Sequence, residues 1–239
     1  MKTQTLLAPF RKAISQFDMI KDGDKIAVGV SGGKDSLTLL ALLKAYQRFS
    51  PQKFELLAIT IDLGFKDMNF STVSDWCKQN EINYIMEKTD IAEILFEVRK
   101  ETNPCSLCAK LRRGILNSTA KKYGCNKVAL GHHSEDLVET FLMSMFYESR
   151  LNTFLPKTYL SNQDLVVIRP MILVNEKDIK SYAKNLPVLE SVCPADRHTK
   201  REYIKNLILS INKEVPQVKE HILSALMHPE RNGLFDKLK

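Results

Sequence analysis

The densest chemistry in this chain is Ser31-Gly32-Gly33-Lys34-Asp35-Ser36, two glycines between serines with a lysine and an aspartate beside them. Such a run suits an anion. Glycine lets the backbone approach a ligand closely, a helix N-terminus offers N–H groups and positive potential, and Lys34 adds a cation. Ser31 and Ser36 add hydroxyl donors, and Lys34 and Asp35 are the candidates to act on the reacting phosphates. The run follows the apolar Ile26-Ala27-Val28-Gly29-Val30 and precedes a Leu-rich stretch, so it is expected at a strand-to-helix turn. It is not a Walker A loop, which would need Gly where Val28 stands and Ser or Thr where Asp35 stands.

Two further segments end apolar runs in the same way. Ile61-Asp62 closes the second run, where Asp62 could meet a nucleoside or simply cap a turn. Gly131-His132-His133-Ser134-Glu135-Asp136 follows the fourth. Ser134 as an N-cap and two acids in a first helical turn have a structural explanation. Gly131, His132 and Asp136 are nonetheless candidates for the nucleotide site, because imidazoles beside carboxylates could position Mg²⁺ or the reacting phosphate.

Five cysteines in a chain of this size and expected compartment do not suit a disulfide framework, and an odd count cannot pair completely within one chain. Pro104-Cys105-Ser106-Leu107-Cys108 precedes a helix carrying Arg112 and Arg113, and Cys193 adjoins Pro194. Cysteine beside proline in irregular chain suits metal ligation, and the nearby helix start and basic residues are expected to favour the thiolate of Cys108. Three thiolates do not close a four-coordinate site. A 4Fe-4S cluster with one open iron, zinc completed by His198, and a redox pair at Cys105 and Cys108 all remain open. Cys77 and Cys125 read as buried, inert thiols.

These motifs need a scaffold. Apolar, β-rich runs at Lys25 to Val30, Phe54 to Ile61, Asn83 to Glu87, Lys127 to Leu130 and Leu165 to Arg169 alternate with helical patterns at Leu37 to Phe49, Phe70 to Asn80, Ile91 to Lys100, Cys108 to Tyr123 and Glu135 to Tyr147. That rhythm predicts an α/β fold: a Rossmann-like, mostly parallel sheet with helices on both faces, which binds ligands outside the carboxyl ends of its strands. Residues 1–174 are expected to form the domain that carries the phosphate-binding loop, including Cys105 and Cys108. Residues 175–239 are expected to form a small helical extension supplying Cys193 and basic side chains.

The chain of 239 residues carries a net charge of +7. Between Glu97 and Cys125, seven Lys or Arg face two acids, and from Arg197 to Lys239 nine face five. Basicity is thus concentrated beside the cysteines and in the last helices, as a polyphosphate partner requires; Arg112 and Arg113 are the candidate RNA contacts. No apolar run reaches the roughly 20 residues of a membrane-spanning helix. No secretory signal is visible in Met1 to Phe10, so a cytoplasmic location is expected.

In order and spacing, SGGKDS, PCSLCAKLRRG and GHHSED resemble the PP-loop ATP pyrophosphatases, with their adenine nucleotide alpha hydrolase-like fold, and among them the tRNA 2-thiocytidine synthetase group, over about Ile14 to Tyr203. The resemblance implies that Ser31, Gly32, Gly33, Lys34, Asp35 and Ser36 hold the pyrophosphate part of ATP, with Mg²⁺ alongside. It implies a 4Fe-4S cluster on Cys105, Cys108 and Cys193, zinc being the alternative. The reaction implied is adenylation of the position-2 carbonyl of a tRNA pyrimidine, most naturally cytidine, and replacement of its oxygen by sulfur. The sulfur would come from a cysteine desulfurase or free sulfide. A homodimer is compatible with this reading, and no membrane partner is expected. One departure is that the family's G-H-H-x-D-D reads Glu at position 135, which leaves Asp136 as the matching acid. The rival readings are a PP-loop amidotransferase or tRNA lysidine synthetase, whose nitrogen chemistry gives the cysteine trio no role, and a zinc-stabilised RNA-binding module.

Overall fold

The apolar run before the glycine-rich loop becomes β1 (Asp24–Gly29), whose Ile26, Ala27 and Val28 have no solvent exposure. The computed structural model describes residues 3–100, 104–194, 200–231 and 233. The other strands are β2 (Phe54–Asp62), β3 (Asn83–Lys88), β4 (Lys127–Ala129), β5 (Lys157–Leu160) and β6 (Leu165–Ile168). They form one six-stranded sheet in the order β3-β2-β1-β4-β6-β5. Every neighbouring pair is parallel except β5 with β6. After β1 the chain winds outward through β2 and β3, then returns to add β4 and β6 on the other side. The winding therefore reverses between β1 and β4, and ligands of such sheets lie at that switch, beyond the strands' carboxyl ends. The expected α/β sheet is present, and the glycine-rich loop and Gly131-His132 leave the two strands that flank the switch.

The helices are α1 (Thr3–Gln16), α2 (Lys34–Gln47), α3 (Ser71–Gln79), α4 (Ile91–Glu93) continuing as a π-helix over Ile94–Val98, α5 (Pro104–Lys122), α6 (Ser134–Glu148), α7 (Glu176–Ala183), α8 (Lys200–Glu214) and α9 (Val218–Met227). The first helix is not anticipated from the sequence pattern, because Pro9 interrupts it. It forms because Leu6, Leu7, Phe10, Ala13 and Ile14 recur at helical spacing and are buried together. Strand β5 is likewise unforeseen, being a four-residue edge strand whose Tyr159 is exposed. At Gly124, φ of +73° provides the left-handed turn expected after α5.

Two compact units make up the chain, Met1–His133 with Leu155–Asp196, and Ser134–Phe154 with Arg197–Lys239. The division differs from a single boundary at residue 174. Helix α7 packs on α1 and α2, and Leu189 donates its N–H to the Gly32 carbonyl at 2.9 Å, so residues 175–194 stay with the sheet. In the second unit, α6, α8 and α9 enclose Val138, Leu142 and Ile204, against which Phe141, Ile208 and Leu223 pack. Among the described residues no helix is long and apolar enough to cross a membrane.

Candidate active site

The loop between β1 and α2 is braced before any ligand arrives. Val30 stays in register through its N–H to Ile59 O at 2.8 Å and a bond from the buried Thr60 hydroxyl to its own carbonyl, also 2.8 Å. Gly32 then turns left-handed, at φ +83°. The Ser36 hydroxyl accepts from Ser31 N–H at 3.1 Å and donates to the Gly33 carbonyl at 3.0 Å, while Gly33 N–H reaches Ser31 Oγ at 3.4 Å. The two serines, expected as donors to an anion, here hold the loop to its own shape. Donors for an anion remain in the first turn of α2, where a helix leaves its N–H groups without intrahelical partners.

Lys34 and Asp35 form a charged cluster with a residue that the sequence does not announce. Lys34 Nζ lies 2.8 Å from Asp35 Oδ2 and 3.2 Å from Glu176 Oε1, and Glu176 Oε2 is 3.1 Å from Lys180. Burial works against the Lys34 charge, but Asp35 and Glu176 outweigh it and raise its pKa above the ordinary lysine value. Lys34 is thus a firmly protonated ammonium. Glu176 opens α7 and is nearly buried. An acid in a first helical turn is common, so only its tertiary position marks it.

The segment after β4 presses on the same loop. A β-carbon on Gly131 would stand 3.0 Å from the Asp35 carbonyl carbon and 3.2 Å from Ser36 N, which explains the glycine by backbone contact. The buried His133 places Nε2 at 3.6 Å from Asp35 Oδ1. His132 accepts at Nδ1 a hydrogen bond from Arg169 Nε, 3.1 Å away. Arg169 follows β6; burial foremost, then the charge of Arg113, lowers its pKa to about 10. Arg113, on the cysteine-bearing α5, thus lies within electrostatic reach of Arg169. Asp62 accepts the Gly64 N–H at 3.0 Å, the turn-capping use weighed for it.

In the second unit, Asp136 does not stand alone. Arg201 lies 3.2 Å from Asp136 and 3.0 Å from Glu139, and donates to Thr140 Oγ1 at 3.1 Å. Glu135 accepts from Ser134 at 2.9 Å and pairs with Lys219 at 2.8 Å. Arg201 and Lys219 are partners that no local motif discloses.

Cys105 and Cys108 lie inside α5, not in irregular chain. Pro104 is tolerated at the first helical position because its missing N–H has no partner there in any case. The two thiols are one turn apart on one helix side. Cys105 is exposed, Cys108 and Cys193 are half-buried, and Cys77 and Cys125 are buried. The Cys108 thiol is pushed up by burial, with Cys193 and Cys105 adding to the rise and Arg112 opposing it. The expected lowering is therefore reversed at Cys108, because its burial outweighs the arginine. The same coupling shows that Cys108 lies within electrostatic reach of both other cysteines. Burial also pushes Cys77 up to about 11 and raises Cys125, as inert thiols require.

No group of three or more His, Cys, Asp or Glu among the described residues converges as ligands of a single metal ion. His198, and part of the basic stretch from Arg197 to Lys239, lie outside the described residues. Three cysteine thiolates are soft donors of the kind that hold an iron–sulfur cluster, each taking its own iron. Arg112 and Arg113 are both exposed on α5, open to a polyanion.

Residues 4–210 match the family described as PP-loop domain. The tRNA-cytidine(32) 2-sulfurtransferase of Citrifermentans bemidjiense is 39% identical over 231 residues, covering 95% of this chain and 91% of that protein. That of Geobacter sulfurreducens is 39% identical over 230 residues, covering 94% and 90%. Among solved structures, the U34-tRNA thiolase NcsA from Methanococcus maripaludis with its 4Fe-4S cluster superposes with a TM-score of 0.76 at 26% identity, over 91% of this chain and 76% of that one. The NH3-dependent NAD synthetase of Campylobacter jejuni shares the fold, with a TM-score of 0.53 at 14% identity over 99% and 96%.

Proposed function

This chain belongs to the PP-loop family, in its tRNA 2-thiocytidine synthetase group, and from that membership we propose how its residues carry out ATP-dependent tRNA thiolation. The observation that carries the reading is the bond from Leu189 to Gly32, which ties the segment bearing Cys193 to the phosphate loop. One unit thus holds both an ATP-splitting loop and a cysteine trio.

The pyrophosphate part of ATP sits on the first turn of α2, with Lys34 exchanging Asp35 and Glu176 for phosphate oxygens and Asp35 turning to the accompanying Mg²⁺. The position-2 oxygen of the pyrimidine attacks the α-phosphorus, an O–P bond forms, and pyrophosphate leaves with the electrons of the broken bond. The base then carries AMP on O2, a good leaving group where a carbonyl oxygen was a poor one. Sulfide attacks C2, AMP departs, and the 2-thio group remains, with no net oxidation or reduction. A 4Fe-4S cluster on Cys105, Cys108 and Cys193 supplies, when bound, sulfur-carrying and Lewis-acid chemistry. Around it Arg112 and Arg113 hold the RNA phosphates.

Cytidine is the base, by analogy with the curated relatives, and the donor is free sulfide, or a cysteine desulfurase whose persulfide sulfur is first reduced to sulfide by two electrons from a thiol reductant. A tRNA enzyme of this kind works in the cytoplasm. The test is anaerobic purification, quantification of iron, sulfide and zinc, and incubation with ATP, sulfide and unmodified tRNA. AMP, pyrophosphate and 2-thiocytidine are expected in equal amounts; ADP release, or stoichiometric zinc without iron, would overturn the reading.

A further inference from the structure

Asp35, Lys34, Glu176 and Lys180 form a chain of alternating charge where α7 packs on α2. Lys34 Nζ stands 2.8 Å from Asp35 Oδ2 and 3.2 Å from Glu176 Oε1, and Lys180 Nζ stands 3.1 Å from Glu176 Oε2. The two carboxylates are held differently. Asp35 neighbours Lys34 in sequence and its side chain is 35% exposed, so it has room to turn away. The Glu176 side chain is 12% exposed and comes from another helix.

That helix is anchored. Ile179 and Ala183 of α7 are buried, and the N–H groups of Asp178 and Ile179 bond to the Asn175 carbonyl at 3.1 and 3.2 Å. Lys180, one turn after Glu176, occupies the carboxylate's other oxygen. Glu176 is thus presented to Lys34 from a fixed position and keeps a partner of its own when Lys34 departs.

A phosphate oxygen competes with a carboxylate oxygen for the same ammonium donors. Once phosphate holds Lys34, Asp35 has Mg²⁺ to turn to, whereas Glu176 is left as a nearly buried negative charge beside a polyanion. Like charges repel strongly where water is scarce. Pyrophosphate cleaved from AMP is held by the loop alone, and return of Lys34 to Glu176 loosens it.

We propose that Glu176 is a positioning residue that competes with pyrophosphate for Lys34 and recaptures the ammonium as pyrophosphate leaves, so that the product is released instead of retained. Lys34 stays an ammonium and Glu176 a carboxylate throughout, and only hydrogen bonds are exchanged. The proposal rests on the phosphate-loop reading above and adds the residue that ends that step.

The test is calorimetric titration of the full-length, anaerobically purified protein with inorganic pyrophosphate, in magnesium-free and in magnesium-saturated buffer. Removing a residue that merely braces the loop, or one that holds the metal, weakens binding; removing a competitor tightens it. Glu176→Gln, similar in shape and uncharged, should lower the Kd for pyrophosphate at least about fivefold in both buffers and lower its product-inhibition constant in AMP formation by a similar factor. Glu176→Ala should shift Kd in the same direction, and Glu176→Asp, which keeps the charge, should stay within about twofold of the unsubstituted protein. In a Lys34→Met background, Glu176→Gln should change Kd by less than about twofold, because the contested ammonium is gone. Unchanged or weaker pyrophosphate binding in both neutral variants, or equal tightening without Lys34, would overturn the proposal while leaving the phosphate-loop reading intact. An unsubstituted protein that binds no pyrophosphate would overturn that reading and this proposal with it.

Discussion

The phosphate loop and the cysteine segment lie in one unit and are built on opposite terms. The loop is closed by its own serine bonds, anchored to β2 through Val30, and pressed by Gly131. Its donors are set by backbone before ATP binds, which suits stabilising charge that develops at fixed places. The cysteines are nearer the surface and come from separate segments. One is exposed, two are half-buried, and the chain before them passes through a π-helix and a left-handed Lys100 at φ +47°. A site of that kind is completed by what it binds, and binding then adds to the stability of the surrounding chain. One half of the chemistry is thus encoded in hydrogen bonds and the other in donor atoms awaiting a partner.

The largest effect expected from this contrast is at the loop. Lys34→Ala and Asp35→Ala should each lower RNA-dependent release of AMP and pyrophosphate by about 100-fold or more, with iron content unchanged. Loss of iron in either variant would mean that the two regions are not separable. The reciprocal experiment is serine at Cys105, Cys108 or Cys193. Each should remove bound iron and 2-thiocytidine while ATP affinity, followed by calorimetry, stays within about twofold, because no thiol belongs to the loop. Serine at Cys77 or Cys125 should leave iron and product nearly normal, at a packing cost of roughly 1–2 kcal/mol. An active Cys193→Ser enzyme would break the comparison outright.

A smaller change sharpens it. Gly131→Ala adds a methyl within 3.0–3.2 Å of the Asp35 and Ser36 backbone. It should destabilise the fold by about 1–3 kcal/mol, read from thermal unfolding, and raise KM for ATP while leaving iron loading intact. The smallest effect expected is on RNA. Arg112→Ala with Arg113→Ala should weaken tRNA binding and reduce the slope of log affinity against log salt by about 1–2, because fewer counterions are displaced. An unchanged slope would return both arginines to the solvated face of α5.

Much of this arrangement was legible because it is local. The strand, glycines and helix start around Ser31 to Ser36 are contiguous, and alternation of apolar runs with helical patterns predicted the parallel sheet. What stayed hidden is carried by distance along the chain. Glu176 beside Lys34, Arg169 beside His132 and Arg201 beside Asp136 are side chains of common type, marked only by where the fold brings them. The cysteine pair was misplaced as structure, since Pro104 reads equally as a breaker or as the first residue of α5. Helix α1 was obscured for the same reason by Pro9, which its buried face overrides.

The bond between Leu189 and Gly32 also sets a length. Cys193 follows Leu189 by four residues, and four extended residues span at most about 14 Å. The third proposed cluster ligand is therefore on a leash whose fixed end is bonded to the phosphate loop, and its backbone cannot wander farther from Leu189 than that reach while the bond holds. Deletions in this short stretch would pull the cysteine inward and insertions would lengthen the leash, so the number of residues between Leu189 and Cys193 matters as a distance even where their identities do not.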